Sequence, residues 1–463
     1  MFDLSLDRLH KAIVHLPAYT RPTCHIAGTN GKGSVSAIVS SILLSASPPL
    51  SVGRYNSPHL ISVLDCITIN HEPVDAELYT SVRGLVERVD DHLGTRLSSF
   101  EVLTLTALQI FERIGVDVAV VEVGMGGRLD ATNIIPDDAI LVSALTNVDL
   151  DHQAFLGNTV SAIAREKAGI ARPGKPFVLG CQNHPEVADV VKAVLLEKAS
   201  VLAPLLVVHR VNATACSQVS LRTVPFQPPI ENRVFFRLPS LHQDITAVLP
   251  LHGAHQVENL ATALSVVSVL LVNETPLLGR MSPLAVRRGI ESVHWPGRLS
   301  FHTITTPRPL SVLVDGAHNP AAARTLGDYV RWTVAQSTDG MVDVVYIVAL
   351  SHSTSKEPSH TLSPLLSHDN RIRLHVALLD FSPPDGMPWV TPVAPAQLAT
   401  VAQVLVPDID HWVADPARTP GTQLSDAIAW AADRIHDVGL VVVAGSLYLV
   451  ADFYRVYEGY LLT

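Results

Sequence analysis

HIAGTNGKGS, residues 25–34, places three glycines, one lysine and two hydroxyl residues in the seven positions from Gly28 to Ser34. It stands directly before an apolar helical pattern, VSAIVSSILL (35–44). A helix N-terminus leaves N–H groups unpaired and carries a partial positive charge, so it attracts phosphate. Glycines let the backbone curl around phosphate oxygens with no Cβ in the way. Gly28, Gly31 and Gly33 fit that need, with Asn30 completing the turn. Lys32 would reach the β- and γ-phosphates, and Ser34 and Thr29 supply hydroxyls. The stretch departs from the standard phosphate loop in two ways. No glycine stands five residues before Gly31, and Gly33 separates Lys32 from Ser34. Taken alone, it also reads as a tight strand-to-helix turn with an incidental lysine.

Two further stretches weigh against the incidental reading. In VEVGMGGRLDATN (121–133), Glu122 closes a run of buried-strand character, the place where open α/β sheets bind ligands. An acid there is positioned to hold Mg²⁺ beside a triphosphate. The glycines from Gly124 to Gly127 let a substrate approach the backbone. In TNVDLDHQAFLGNTVSAIAREKAGI (146–170), His152 follows the next strand and Lys167 lies inside the following helix. Singly, an acid, a histidine and a lysine in such places are ordinary solvated or core residues. Their combination after neighbouring strands points to a site.

The chain has 463 residues, 48% of them hydrophobic and 16% charged. That fits two or three globular domains. A net charge of −10 disfavours non-specific binding to nucleic acid or anionic membranes, so no such partner is expected. The four cysteines, Cys24, Cys66, Cys181 and Cys216, show no metal-ligand spacing and favour a reducing compartment. No uncharged apolar run reaches about 18 residues, so no spanning helix is expected, and the cytosol is the expected location.

Apolar β-rich runs at 117–123, 139–146 and 175–180 alternate with helical patterns, which predicts βαβ units and a mostly parallel sheet. Residues 200–250 read as an antiparallel appendage carrying RVFFRL (233–238) and ITAVLPL (245–251). A helix returns at 252–271. A seam is expected near HWPGRLSFH (294–302), after which a second α/β alternation begins. The expected domains are therefore 1–297 and 298–463. Residues 351–364 read as a polar loop and 380–395 as a long proline-rich loop.

The three stretches, in this order, resemble the folylpolyglutamate synthase and dihydrofolate synthase family within the Mur-type ligases. YNSPHL (55–60), HGAHQVENLATAL (252–264), WPGR (295–298), DGAHNP (315–320) and AGSLYLV (444–450) resemble further motifs of the family. The resemblance runs from about residue 4 to 454, with gaps at 200–250 and 350–400. It implies an N-terminal phosphate-loop ATPase-type parallel-sheet domain and a smaller Rossmann-like α/β domain. It implies ATP and Mg²⁺, two ions, as cofactors, with a monomeric chain. Gly28 to Ser34, Asn259, Arg298 and Asp315 would bind ATP. Ser57, Glu122 and His152 would hold Mg²⁺, joined by Lys167 if carbamylated. Phe100, Glu101, Leu129 and Asp130 lie where the family holds its pterin, and His318 and Ser446 near where glutamate docks.

The implied reaction is ATP-dependent addition of L-glutamate to an acid through an acyl phosphate, with Lys32, Lys167 and His152 in the catalytic machinery. Two acceptors are open, 7,8-dihydropteroate or the glutamyl tail of a folate. In the tail-extending branch the stretch after the serine-proline-histidine loop is rich in arginine. Here it is LISVLDCITIN (60–70), with Asp65 and neither Arg nor Lys. The DGMPWV segment (385–390) resembles the fungal dihydrofolate synthase branch. Dihydrofolate synthase is therefore the expected activity, with folylpolyglutamate synthase or dual activity as the alternative. A nucleotide-binding protein that has lost catalysis and a phosphate-loop kinase are the readings from other classes.

Overall fold

Valine-rich runs without polar alternation become strands covered on both faces. The strands of the first part of the chain are β1 (Thr23–Ala27), β2 (Val52–Tyr55), β3 (Ile67–Ile69), β4 (Glu72–Pro73), β5 (Val118–Glu122), β6 (Ile140–Leu145), β7 (Pro176–Leu179) and β8 (Val201–Ala203), with β5 the clearest such run and the edge strands β4 and β8 largely exposed. They form one sheet in the order β4-β3-β2-β5-β1-β6-β7-β8. The run from β2 to β8 is parallel, and β3 and β4 add an antiparallel edge. The three runs predicted at 117–123, 139–146 and 175–180 are β5, β6 and β7. The chain leaves β1 toward β2 on one side, while β6 flanks it on the other, so the strand order switches at β1. Ligands bind open α/β sheets outside the C-terminal strand ends at such a point.

This computed structural model describes residues 5–211, 220–222, 226, 228, 232–273, 277, 279–305, 308–337, 340–352, 357–384, 387 and 390–461. The chain divides into two compact units. One comprises Met1–Asn212, Asn232–Pro250 and Ala254–His294; the other comprises Trp295–Thr463 with Ala213–Glu231 and Leu251–Gly253. Cys216 and most of the 385–390 segment lie outside the described residues, as does part of the 200–250 stretch.

The first unit also holds β9 (His209–Arg210), β10 (Arg233–Leu238) and β11 (Gln243–Val248), an antiparallel sheet ordered β11-β10-β9. Val234, Phe236 and Leu238 are buried while Arg233 and Arg237 are exposed, the two-residue alternation of a sheet with one wet face. The helix Lys32–Leu44 is buried from Ser34 to Leu43. A helix apolar all round must be enclosed, and the helices His255–Asn273 and Pro283–Glu291 pack on it. Helix His255–Asn273 departs from the expectation of no membrane-length segment: its 19 residues, with mean hydropathy 1.3, are long and apolar enough to cross a bilayer. Glu258 interrupts its uncharged run, so the apolar length does not show as an unbroken stretch. In the fold 67% of its apolar window is buried, as a core helix requires.

The second unit carries β12 (Ser300–Ile304), β13 (Leu310–Val314), β14 (Val342–Val348), β15 (Ile372–Leu378), β16 (Asp410–Val413) and β17 (Gly439–Ala444). Their order is β12-β13-β17-β14-β15-β16, parallel except for β12. Four of its helices, Pro320–Gln336, Pro358–Leu365, Pro395–Leu405 and Pro420–Arg434, begin with proline. Proline suits that position because its missing N–H would be unpaired there anyway. Helix Pro358–Leu365 corrects the polar-loop reading of 351–364. Thr361, Leu362 and Leu365 are buried, so three apolar-facing positions among serines and histidines were enough to fix a helix.

The crossing of helices Lys32–Leu44 and Pro283–Glu291 depends on Gly289. A Cβ there would lie 2.4 Å from Ile42 Cα and 2.8 Å from Ser41 O, both backbone atoms that cannot rotate away. Ser41 Oγ donates to Gly289 O at 2.7 Å across the same contact. Gly289→Ala must therefore spread the helices, at a cost of about 1–3 kcal/mol. Differential scanning fluorimetry should show the melting point lowered by several degrees; an unchanged melt would contradict this packing.

Candidate nucleotide and acceptor site

The loop after β1 is strapped to the segment after β6. Thr29 N and Asn30 N both donate to Asn147 O, at 2.8 and 3.2 Å. Thr146 Oγ1 donates to Asn30 O at 2.7 Å. Thr29 Oγ1 donates to Asp149 O and accepts from Asp149 N, both at 3.1 Å. The hydroxyl assigned to phosphate at Thr29 is thus engaged in holding the loop. Gly31 caps the helix with φ 92°, a left-handed turn that favours glycine. A Cβ on Gly31 would lie 2.3 Å from Asn259 Oδ1, so the Asn259 side chain reaches the loop backbone. Asn259 is oriented by its own bond, Nδ2 donating to Gln256 Oε1 at 3.0 Å. No side chain caps the helix and no acid lies in its first turn, which leaves its positive end to a ligand.

Two charges face each other at the mouth of this helix. Lys32 Nζ lies 3.7 Å from Glu122 Oε1, both side chains largely buried. Lys32 also donates to Thr29 O at 3.4 Å. Glu122 is the last residue of β5, next to β1 in the sheet. Its other oxygen accepts from Asn56 Nδ2 at 2.6 Å. Ser57, half-buried, follows Asn56 directly. Arg54, on β2 beside β5, is pushed down to about 10 by burial, against the opposing pull of Glu122.

Lys167, on helix Val160–Ala168, reaches the same loop from the other side. Its Nζ donates to Gly28 O at 2.8 Å. Burial, and then the charge of Lys32, push its ammonium from the ordinary 10.5 down to about 7, against the opposing pull of Asp151 and Asp130. His152 stands apart from this buried set, its side chain 48% exposed. Its backbone sits at φ 51°, uncommon for a residue with a Cβ. Asp151 Oδ1 accepts from His152 N at 2.9 Å and anchors that turn.

The Gly124–Thr132 loop is organised by Asp130. Its Oδ2 accepts from Met125 N at 2.8 Å, and its Oδ1 from Thr132 N at 3.0 Å and Thr132 Oγ1 at 2.5 Å. Burial raises this carboxyl above its usual range, with those hydrogen bonds acting against it. The tip of the Phe100 ring comes against the loop, since a Cβ on Gly124 would be 2.3 Å from its Cζ. Its ring stacks near Tyr55, centroids 6.5 Å apart. Leu129 is half-buried. Glu101 is committed to structure: it accepts from Ser98 N at 2.7 Å as a capping box and pairs with Arg8 at 3.1 Å.

In the second unit, Asp315 follows β13 and accepts from Leu299 N and Ala317 N, both at 2.8 Å. Burial raises its carboxyl, and the Arg298 charge opposes that. Arg298 Nη1 donates to Gly297 O at 2.9 Å and would lie 2.5 Å from a Cβ on Gly316. His318 Nδ1–H donates to Gly316 O at 2.8 Å. Ser446, buried after β17, accepts from Tyr448 N at 3.1 Å. Arg298, Asp315 and His318 thus gather around the Gly297 and Gly316 turns. Asn319 caps the helix at Pro320.

Asn56 is the residue that motif reading passed over. Its signal was its place directly before Ser57 in YNSPHL, where a carboxamide meets the acid of the adjacent strand. The Lys167 shift gives a direct expectation. The folded chain holds this proton only below about pH 7, while an unfolded chain holds it to about 10.4. Between those values the unfolded state binds more protons, so this group's contribution to stability rises with pH through that window and is flat below it. With only seven lysines in the chain, ¹³Cε NMR resolves the titration. In metal-free, CO₂-depleted buffer, where Lys167 is the free amine, one signal, lost in Lys167→Met, should move near pH 7; the absence of any such signal would contradict the burial described.

A family model described as dihydrofolate synthetase, C-terminal domain, matches residues 298–456. The dihydrofolate synthetase of Saccharomyces cerevisiae is 33% identical, over 99% of this chain and 99% of its own. The structure of E. coli FolC in complex with DHPP and ADP matches with TM-score 0.76 and 26% identity, over 99% of this chain and 94% of that one. A bifunctional folylpolyglutamate synthase/dihydrofolate synthase with Mn, AMPPNP and L-glutamate bound matches with TM-score 0.72 and 27% identity, over 99% and 95%. With an end-to-end relative at that identity and the parallel-sheet fold of these structures, the chain belongs to the folylpolyglutamate synthase/dihydrofolate synthase family.

Proposed function

We propose that this chain is an ATP-dependent ligase that adds L-glutamate to 7,8-dihydropteroate, giving dihydrofolate, ADP and phosphate. The observation that carries the reading is the meeting of Lys32, Glu122 and an uncapped helix N-terminus at the switch point of the first sheet. Two things favour dihydropteroate over a polyglutamate tail. The fungal dihydrofolate synthetase matches this chain end to end. Segment 60–70 carries no cation, and Asp65 holds its start by accepting from Ile61 N and Ser62 N at 2.7 and 2.8 Å.

The donors suit magnesium. Among the described residues no group of three or more His, Cys, Asp and Glu forms a cage. Mg²⁺ is ordinarily held by one or two carboxylates together with substrate phosphates and water. Glu122, Ser57 and His152 supply hard or borderline donors, and two ions are the reading. Lys167 joins them as a carbamate: its neutral amine attacks CO₂, forms the N–C bond and releases a proton. A carbamate is an anionic oxygen donor where an ammonium would repel a cation. Magnesium beside the triphosphate neutralises the charge that builds on the transferring phosphoryl group.

The chain's own groups do the positioning. The acceptor's carboxylate oxygen attacks the γ-phosphorus, the bond to the β–γ bridging oxygen breaks, and ADP leaves. Lys32 and the N–H groups from Gly31 to Ser34 hold the phosphates and stabilise the developing charge, while Thr29 N and Asn30 N stay on Asn147 O. The glutamate amine then attacks the acyl carbon, loses a proton, and phosphate departs. Asn259, Arg298 and Asp315 bind ATP. Phe100, Leu129 and Asp130 hold the pterin; Glu101 supports them through its helix cap. His318 and Ser446 receive glutamate. We place the enzyme in the cytosol as a monomer without nucleic-acid or membrane partners.

The test is a glutamate-dependent ADP-release assay with product analysis. Wild-type enzyme should turn over dihydropteroate, and Lys32→Ala should lose about 10²–10³ in kcat. Tetrahydrofolate elongation without dihydropteroate turnover would assign the tail-extending branch. Near-normal activity of Lys32→Ala would remove the phosphate role of the loop.

A further inference from the structure

His25 is the third residue of β1, two positions before the end of the strand, and is wholly buried. It lies between Val121 of β5 and Ser143 of β6. Nothing in phosphate binding uses it. Its Nε2 lies 2.8 Å from Thr132 Oγ1, and Thr132 Oγ1 lies 2.5 Å from Asp130 Oδ1. A buried strand residue at the sheet centre is thus joined to the carboxylate that organises the Gly124–Thr132 loop.

The direction of this chain follows from counting protons. A hydroxyl has one proton to give. Given to Asp130, it leaves only lone pairs facing His25, so Nε2 carries the hydrogen and donates. Nδ1 is then a bare acceptor, and it is Nδ1 that has no hydrogen-bond partner among the described residues. A buried lone pair is tolerated better than a stranded N–H. The reverse direction would strand an Nδ1–H in the core. It would also press two oxygens together at 2.5 Å with no proton from Thr132 between them. Burial, and then the Arg172 charge, push the imidazolium down to about 3, so the ring is neutral and one tautomer suffices.

We propose that His25 is a positioning residue for the acceptor substrate: through Thr132 it holds the Asp130 carboxylate in the single orientation that the pterin meets. The proposal rests on the reading that Asp130 contacts the acceptor. Without the His25 donor, the Thr132 hydroxyl is released to other rotamers, and Oδ1 loses its shortest bond. Oδ2 keeps Met125 N, so the loop survives while the carboxylate gains freedom to turn.

The experiment is steady-state kinetics with dihydropteroate, ATP and glutamate varied in turn. His25→Met removes the donor at similar bulk, and Thr132→Val removes the relay at the hydroxyl. Each should raise the KM for dihydropteroate about tenfold, the effect of one hydrogen bond. The KM values for ATP and glutamate should stay within about twofold, as independent sites do. The double variant should be no worse than either single one. His25→Gln, which keeps an Nε2 donor, should restore the acceptor KM. An unchanged dihydropteroate KM in both single variants overturns the proposal, as does an equal rise in the ATP KM, the mark of a damaged β1. Asp130→Asn separates the two levels. If it raises the acceptor KM while His25→Met does not, the relay is wrong and the acceptor reading stands. If it leaves the acceptor KM untouched, that reading fails and the proposal with it.

Discussion

The positive end of one helix, left uncapped at the C-terminal edge of a parallel sheet, is the constraint around which the first unit is arranged. Holding it in place takes contributions from four directions. Gly31 turns left-handed to start the helix. Asn147 accepts two loop N–H groups, and Lys167 clamps Gly28 O. Asn259 comes up against Gly31 from helix His255–Asn273. A loop held this way would need no reorganisation as charge developed on a phosphoryl group bound there, as the proposed function requires. The same fixity explains why these residues come from segments 28–31, 146–149, 167 and 259, far apart in the chain.

Buried charge is concentrated around this loop. Lys32, Lys167 and Arg54 meet Glu122, Asp130 and Asp151, all of them largely buried. Burying charges is costly unless they are paired. The molecule answers in two ways. Glu122 is shared between Lys32 and Asn56, and Lys167 surrenders its proton near neutrality. A lysine whose ammonium is pushed down to about 7 has a substantial neutral fraction near neutrality; its neutral amine is a nucleophile toward CO₂, and conversion to a carbamate would change the sign of its charge.

The parallel alternation was legible because β5, β6 and β7 are short, mostly apolar runs separated by helical patterns. The strand-to-helix turn at Gly28–Ser34 was legible because its glycines, lysine and hydroxyls are contiguous. Helix Pro358–Leu365 was not, since its buried positions are few and lie among serines and histidines, a composition that mimics a loop. Thr29 and Glu101 show a different limit. Each has the residue type of a ligand contact, yet its polar atoms are bound to Asp149 in one case and to Ser98 and Arg8 in the other. Asn56 and His25 were invisible for the opposite reason. Their partners, Glu122 and Thr132, lie 66 and 107 residues away, and only the sheet brings them together.

The central claim is that Glu122 holds a divalent cation against phosphates gripped by the Gly28–Ser34 loop. Isothermal titration of a non-hydrolysable ATP analogue, with and without Mg²⁺, tests it directly on wild type and Glu122→Gln. The account predicts that magnesium tightens binding by at least about tenfold in the wild type, or roughly 1.4 kcal/mol, and that Glu122→Gln loses most of this gain while binding the metal-free analogue no more weakly. Equal magnesium dependence in both proteins would contradict it.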